Sequence, residues 1–408
     1  MNVSSRIVKI SRNVILLGVV SLLSDMSSEL YFAILPFFIL EIGGKSLAIG
    51  VIAGVTDGFV SFLKAYFGLL ADKLKAARKR YIYWGYGLPA VFKLLMATAL
   101  SWPVLLVYRL FERFGKGIRT APRDALIAES SEERFIGRNF GFHRAMDSLG
   151  AFIGSFLALI LVSLFFFSYR QIIVLSGILG FLTLIPILFV KVKESSSDTK
   201  ITHGLSEFLK EGKKDGYWNV TLVTSLHGLS LVSYMFFILL SWKIDILGLG
   251  LPPVEIGILF YIYFNLIYAL TSYGAGSLSD YIGKIHALRI GFFIYAMSLL
   301  VFMIGGGFIG MILAFTFYGV AYGFNEGNLR ALPDKYIKED FKPSGYGIFH
   351  GIFGLSIFTG NIIAGSLRQV NATLMIPIAL TFSVSSIIAL SLVDTGSHSE
   401  SIGRENEL

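Results

Sequence analysis

Long apolar stretches, each close to the length of a bilayer-spanning helix, follow one another along almost the whole chain. Crossing the hydrocarbon layer takes roughly 20 helical residues, because each residue advances a helix by about 1.5 Å. Twelve segments meet that length: 13–40, 46–71, 80–100, 102–124, 138–166, 170–190, 219–244, 254–279, 286–305, 308–332, 345–367 and 373–393. Lipid offers no hydrogen-bond partner to the backbone, so segments of this length are expected as helices. The first is too long for a cleaved leader and carries Asp25 and Glu29, so it is read as a mature helix. The expected fold class is an all-α membrane protein of twelve transmembrane helices.

Composition agrees. Charged residues make up 15% of the chain, against about 25% in soluble domains. Apolar residues reach 54%, and mean hydropathy is +0.70. A soluble enzyme and a disordered chain are both excluded on these grounds. The formal charge of +8 marks topology rather than a nucleic-acid surface, and no nucleic-acid partner is expected. With the amino terminus inside, 25 of the 35 Lys and Arg fall in cytoplasmic segments. Only Lys45, Arg170, Lys243 and Arg368 fall in outer loops. That alternation supports an even number of spans with both termini cytoplasmic, as expected of a multi-pass protein of the cytoplasmic membrane. Absence of Cys excludes disulfides, thiolate metal sites and thiol catalysis. No cofactor and no metal site are expected.

The chain divides near its middle. Residues 191–218 are polar and read as a cytoplasmic linker with a short surface helix near 205–213. They separate an amino-terminal six-helix half, 1–190, from a carboxy-terminal half, 219–394, and 395–408 form a cytoplasmic tail. The halves echo each other. Gly68 and Asp72 close a G-x-x-x-D stretch after span two, and Gly276 and Asp280 close another after span eight. Pro122 is echoed by Pro333, and Phe142-His143 by Phe349-His350. Two parallel six-helix repeats are an architecture of secondary transporters.

On these residues the whole chain resembles the major facilitator superfamily (MFS). The family stretch after span two runs roughly G-x-L-A-D-R-x-G-R-K. Here Gly68, Leu70, Ala71 and Asp72 match it, while the second glycine is missing and the basic residues move to Arg78, Lys79 and Arg80. The resemblance implies a conformational latch at Gly68, Asp72 and Arg78, with a second copy at Gly276 and Asp280. The R-x-x-x-G pattern of proton antiporters appears at Arg113 and Gly117. Their spaced glycines appear at Gly141, Gly150 and Gly154, with Ser155 where they carry proline. Small residues at such spacing also let helix backbones approach, without any antiport. The span-four segment GKGIRTAPRDAL resembles a group of prokaryotic permeases in the superfamily.

Ionisable groups inside spans are costly and therefore functional candidates. Span four carries Arg109, Glu112, Arg113 and Lys116 at spacings of three, four and seven, which form one stripe on which Glu112 can pair with Arg109 or Lys116. Span one adds Asp25 and Glu29, span two Asp57, and span five His143, Arg144 and Asp147. Arg113 and Arg109 are expected to face Asp25 or Glu29, forming a proton-coupling network. The alternative is a static ion-pair network that fixes helix packing. Lys64 is read as reaching the inner surface, and Lys93 has no assigned place. The second half offers mostly neutral polar groups: His227, Asn265, Tyr322, Asn325, Glu326, Asn328, His350 and Asn361. These are candidates for a substrate-cavity wall.

The expected function is a secondary active transporter, not an enzyme, that moves a small-molecule substrate by alternating access. Protons are the expected coupling partner, the lipid bilayer the medium and a monomer the expected state. The antiporter patterns lean towards export. Uptake of a small organic or anionic solute is the alternative. A non-transporting membrane sensor or a membrane-embedded enzyme would be another class, but the chain lacks a large soluble output domain or a metal-protease motif.

Overall fold

The computed structural model describes residues 10–61, 63, 78–132, 135–191, 207–242, 244, 246, 248–338 and 341–393. Helices account for nearly all of them, and the described residues hold no strand beyond one isolated bridge. Eight helices among them are long and apolar enough to cross a membrane, and two shorter apolar helices, Ser46–Phe59 and Met375–Ser391, accompany them.

In chain order the first elements are α1 (Arg12–Phe32), α2 (Leu35–Glu41), α3 (Ser46–Gly54), α4 (Arg78–Met96), α5 (Trp102–Glu129), α6 (Ile136–Ser163), α7 (Tyr169–Leu182) and α8 (Leu184–Leu188). There follow α9 (Tyr217–Ser230), α10 (Tyr234–Ser241), α11 (Pro253–Ile282), α12 (Lys284–Ile304), α13 (Gly307–Ala331), α14 (Lys342–Val370) and α15 (Met375–Ser391). A π-helical turn, Val55–Phe59, continues α3.

Three of the expected apolar segments are broken helices, and the sequence explains two of the breaks. Proline lacks an N–H and its ring crowds the carbonyl four residues earlier. Pro36 therefore ends α1 at Phe32, and Pro186 ends α7 at Leu182. The third break, residues 231–233 between α9 and α10, contains no proline. Side chains hold it, as described below.

The chain forms two compact units. One comprises Met1–Ile201 and Tyr234–Ile262; the other comprises Thr202–Ser233 and Tyr263–Leu408. The same helix pairings recur in each. In the first, α1 packs on α6 and α7, and α4 packs on α5 and α7. In the second, α9 packs on α14 and α15, and α12 packs on α13 and α15. This is the structural form of the repeat read from the sequence.

Glycines permit the closest of these approaches. A methyl group built on Gly150 or Gly154 of α6 would run into the carbonyl oxygens of Leu22 or Met26 on α1. Gly360 of α14 meets the carbonyl of Leu229 on α9 in the same way. Gly141, in contrast, faces open space.

The end of the segment read as a linker is built into the second unit. Its short π-helical turn, Phe208–Gly212, buries Phe208 completely against Tyr217 and Phe341. The backbone then bridges the turn after α13: Lys214 N donates to Tyr336 O at 2.9 Å and Lys338 N to Gly212 O at 3.0 Å. Beside it, Asp334 accepts from Lys342 Nζ and Tyr346 Oη, each at 3.0 Å. Those contacts, the Lys342 bond foremost, hold its carboxyl below the usual carboxylate range.

Gly154→Ala should therefore lower stability by about 1–3 kcal/mol, the usual cost of overpacking. Gly141→Ala should leave it unchanged or raise it by roughly 0.5–1 kcal/mol. Thermal unfolding of the two variants in detergent checks the contrast.

Candidate functional site

Helix α5 is inverted relative to a soluble helix. Phe111 and Phe114 are exposed, while Arg109, Glu112, Arg113 and Arg119 are buried. In a soluble protein this arrangement would be prohibitive; with lipid outside, it is the favourable one. Among the described residues, five Lys, Arg, Asp or Glu side chains are buried, and all lie on two packed helices, α4 and α5: Lys93, Arg109, Glu112, Arg113 and Arg119.

Arg109 is wholly buried and organises this cluster. Its Nη1 donates to the Tyr31 hydroxyl and, at 2.9 Å, to Glu112 Oε2. Its Nη2 donates to Thr56 Oγ1 at 2.8 Å. Glu112 Oε2 also lies 3.2 Å from Arg113 Nε. The guanidinium of Arg109 sits 5.3 Å from the Tyr31 ring and 5.1 Å from the Phe32 ring, and that of Arg113 sits 4.7 Å from Phe32. Aromatic faces are weak anion substitutes that stabilise a desolvated cation. Lys93, unassigned from sequence, donates to Ser27 Oγ at 2.7 Å and Ser28 Oγ at 3.0 Å. Arg119, counted from sequence as a cytoplasmic marker, is instead buried, donating to Gly85 O and Ser24 Oγ and lying 4.0 Å from the Tyr86 ring.

Of the expected pairings of Arg109, the one with Glu112 is present, and it replaces the pairing of Arg109 and Arg113 with Asp25 or Glu29. The reason is local: Glu112 lies three residues after one arginine and next to the other, so both reach it without crossing to another helix. Glu29 instead accepts a hydrogen bond from Tyr261 Oη at 2.5 Å. Asp25 is half-buried with no hydrogen bond or ion pair among the described residues; its field reaches Glu29, Lys116 and Asp147. Asp57 is exposed on the π-helical turn, and Lys116 is half-buried. On α6, Asp147 accepts from Ser21 Oγ and stands 3.8 Å from His143 Nδ1 and 3.9 Å from Arg144 Nη1. Gly68 and Asp72 lie outside the described residues, as does the side chain of Arg78; Gly276 and Asp280 are exposed on α11.

In the second unit neutral groups stabilise the break at 231–233. Val232 N donates to Tyr295 Oη at 2.9 Å, and Tyr295 Oη donates to Ser230 O at 2.9 Å. Ser233 N donates to Asn361 Oδ1 at 2.9 Å, and Asn361 Nδ2 donates to Leu231 O at 3.1 Å. Tyr318 Oη donates to Val232 O at 3.3 Å. His227 is fully buried, stacked 3.6 Å from the Phe292 ring, with its Nε2 3.3 Å from Asn325 Nδ2. Asn328 accepts from Ser279 Oγ, and Glu326 pairs with Arg330 one turn away. Tyr322 packs with Phe264, Tyr268 and Tyr318, while half-buried Asn265 has a buried Nδ2 without a partner among the described residues. His350 stacks on Tyr346. Broken helices lined by satisfied polar groups are where transporter folds tolerate irregular backbone.

The family model of the Major Facilitator Superfamily matches residues 17–396. The chain belongs to the Major Facilitator Superfamily. An uncharacterized MFS-type transporter of Methanocaldococcus jannaschii is 37% identical over 384 residues, covering 94% of this chain and 93% of its own. An uncharacterized protein of Mycobacterium bovis is 23% identical over 391 residues, covering 93% and 92%. Among solved structures, a mutant of the nucleoside transporter NupG has a TM-score of 0.77 at 16% identity, covering 93% of this chain and 98% of that one. The peptide transporter POT in complex with sulfate has a TM-score of 0.73 at 12% identity, covering 94% and 93%. These structures share the MFS fold with this chain.

Within this MFS chain, what sequence reasoning missed were the neutral partners. Tyr31, Thr56, Ser27 and Ser28 carry no charge to attract notice, yet they are the acceptors that make burial of Arg109 and Lys93 tolerable. Their only sequence signal is hydroxyls clustered in an apolar span. Glu112→Gln should destabilise the fold by about 3–5 kcal/mol, because it leaves two buried arginines without their anion. Lys93→Met, which removes a cation that forms no ion pair among the described residues, should leave the protein folded. Thermal unfolding of both variants distinguishes them.

Proposed function

We propose that this chain is a proton-coupled secondary transporter that moves a small solute across the cytoplasmic membrane by alternating access. In this reading it works as a monomer with twelve spans and both termini inside. Its membership of the superfamily supports transport itself. The observation that carries the coupling is the partner of Glu29: a tyrosine hydroxyl at 2.5 Å, with no ion pair to an arginine or lysine among the described residues.

Glu29 and Glu112 are not equivalent. Protonating Glu112 would leave Arg109 and Arg113 uncompensated, so its charge is locked by structure. Protonating Glu29 breaks no ion pair among the described residues, since its hydrogen-bond partner Tyr261 can donate to either form of the carboxyl. Glu29 is therefore the proton carrier in this reading, with Asp25 one turn earlier and Asp147 of α6 as its relay. Tyr261 lies on α11, which passes from one unit to the other between Ile262 and Tyr263. A change at Glu29 thus acts on a helix that is covalently common to both. The polar groups around the break at 231–233, with His227, Asn325 and Tyr322, supply neutral solute contacts. The repeated G-x-x-x-D stretches, Gly68 to Asp72 with Arg78 and Gly276 to Asp280, act as the conformational latch.

The antiporter-like Arg113 and Gly117, together with the glycines of α6, favour export. A second reading, proton-coupled uptake of an anion, is favoured by one observation: among the described residues, the buried charges of α4 and α5 are four cations and one carboxylate.

Purified protein in liposomes, challenged with a substrate panel under an imposed pH gradient, tests the coupling. Solute-dependent proton movement should fall at least about tenfold in Glu29→Gln, and Tyr261→Phe should weaken it less. Wild-type proton movement in Glu29→Gln would remove Glu29 from the mechanism.

A further inference from the structure

The charge surplus of α4 and α5 points beyond coupling to what is carried. Lys93, Arg109, Arg113 and Arg119 are each no more than 6% exposed, and Glu112 is the one comparably buried acid among the described residues. A surplus of desolvated cations is costly unless another anion compensates it. The nearby half-exposed carboxylates do not fill that role by contact: Glu29 bonds to Tyr261, and Asp25 makes no ion pair among the described residues.

The donors of these cations are unequally occupied. Arg109 spends both Nη groups on Tyr31, Glu112 and Thr56. Arg119 spends both of its own on Gly85 O and Ser24. Arg113 differs. Its Nε lies 3.2 Å from Glu112 but is not aligned to donate, and its two Nη groups make no hydrogen bond among the described residues. Lys93 gives two hydrogens to serines and retains a third. Arg113 and Lys93 also act on each other electrostatically, with Glu112 as their shared neighbour.

We infer that the Nη fork of Arg113, assisted by the Lys93 ammonium, is a binding site for the oxyanion of the transported solute, a carboxylate or a phosphate group. The fork geometry of a guanidinium matches two oxygens of such a group, which an ammonium alone does not. Tyr31 and Phe32, already against these cations, form an aromatic wall next to the site. This rests on the transporter reading above and names the substrate class of the same cluster. It also fits the second reading, anion uptake: neutralising Glu29 deepens the local positive surplus, so a proton and an anion favour each other's binding.

The test is ligand-induced thermal stabilisation of the full-length protein in neutral detergent without added lipid. The probes are acetate, benzoate, inorganic phosphate and sulfate, with choline as the cationic control. At least one anion should raise the unfolding temperature and choline should not. Arg113→Gln and Arg113→Lys should each weaken that anion's apparent affinity by about 10- to 100-fold, the second variant keeping the charge but losing the fork. Lys93→Met should weaken it less. The proposal is overturned if no anion stabilises the protein, if choline does so instead, or if Arg113→Lys binds as well as wild type. A shift that appears only when phosphatidylglycerol is added would assign the oxyanion to lipid and overturn the solute assignment. The assay reads binding, not flux, so failure of the coupling at Glu29 registers only in the liposome experiment.

Discussion

The pairing of Glu112 with Arg109 and Arg113 is the interaction around which the first unit is built. It lies on a single helix, wholly out of solvent, and fixes three charges within one turn of α5. Everything around it answers the same constraint. Tyr31 and Thr56 accept from the Nη groups of Arg109, Phe32 lies against the guanidinium groups, and Val107, Phe111 and Phe114 of α5 are left to face outward. Packing that would be inside-out in water is consistent once the surroundings are hydrocarbon.

The two units solve the burial of polar groups differently while using the same helix pairings. The first places charge on α5 and accepts a surplus of cations. The second places no Lys, Arg, Asp or Glu among its fully buried described residues, and uses Tyr295, Tyr318 and Asn361 to satisfy the backbone where α9 gives way to α10. The same frame thus buries charged side chains in one unit and, among the described residues, neutral polar ones in the other.

Much of this was legible beforehand. Apolar runs and alternating basic loops gave the helical membrane fold, and the stripe Arg109, Glu112, Arg113 is visible as a spacing. The glycine pattern of α6 is readable too, with Gly150 and Gly154 at helix contacts and Gly141 not. What sequence does not encode locally is which partner a buried charge selects. Two acids in span one competed for the arginines against a neighbour on the same helix, and the neighbour prevailed by proximity. Arg119 resembled a loop marker because it follows other basic residues, yet Pro122 does not end α5 and the helix runs on to Glu129. The break at 231–233 has no proline to announce it; its cause lies 60 to 130 residues away, in Tyr295 and Asn361.

The account turns on a division of labour between two glutamates, one locked as an anion and one free to exchange a proton. Infrared difference spectroscopy of the detergent-purified protein across a pH titration reads this directly, through the carbonyl stretch of protonated carboxyl groups. The account predicts a titrating carboxyl band that disappears in Glu29→Gln. The same band, unchanged in position and amplitude in that variant, would contradict it.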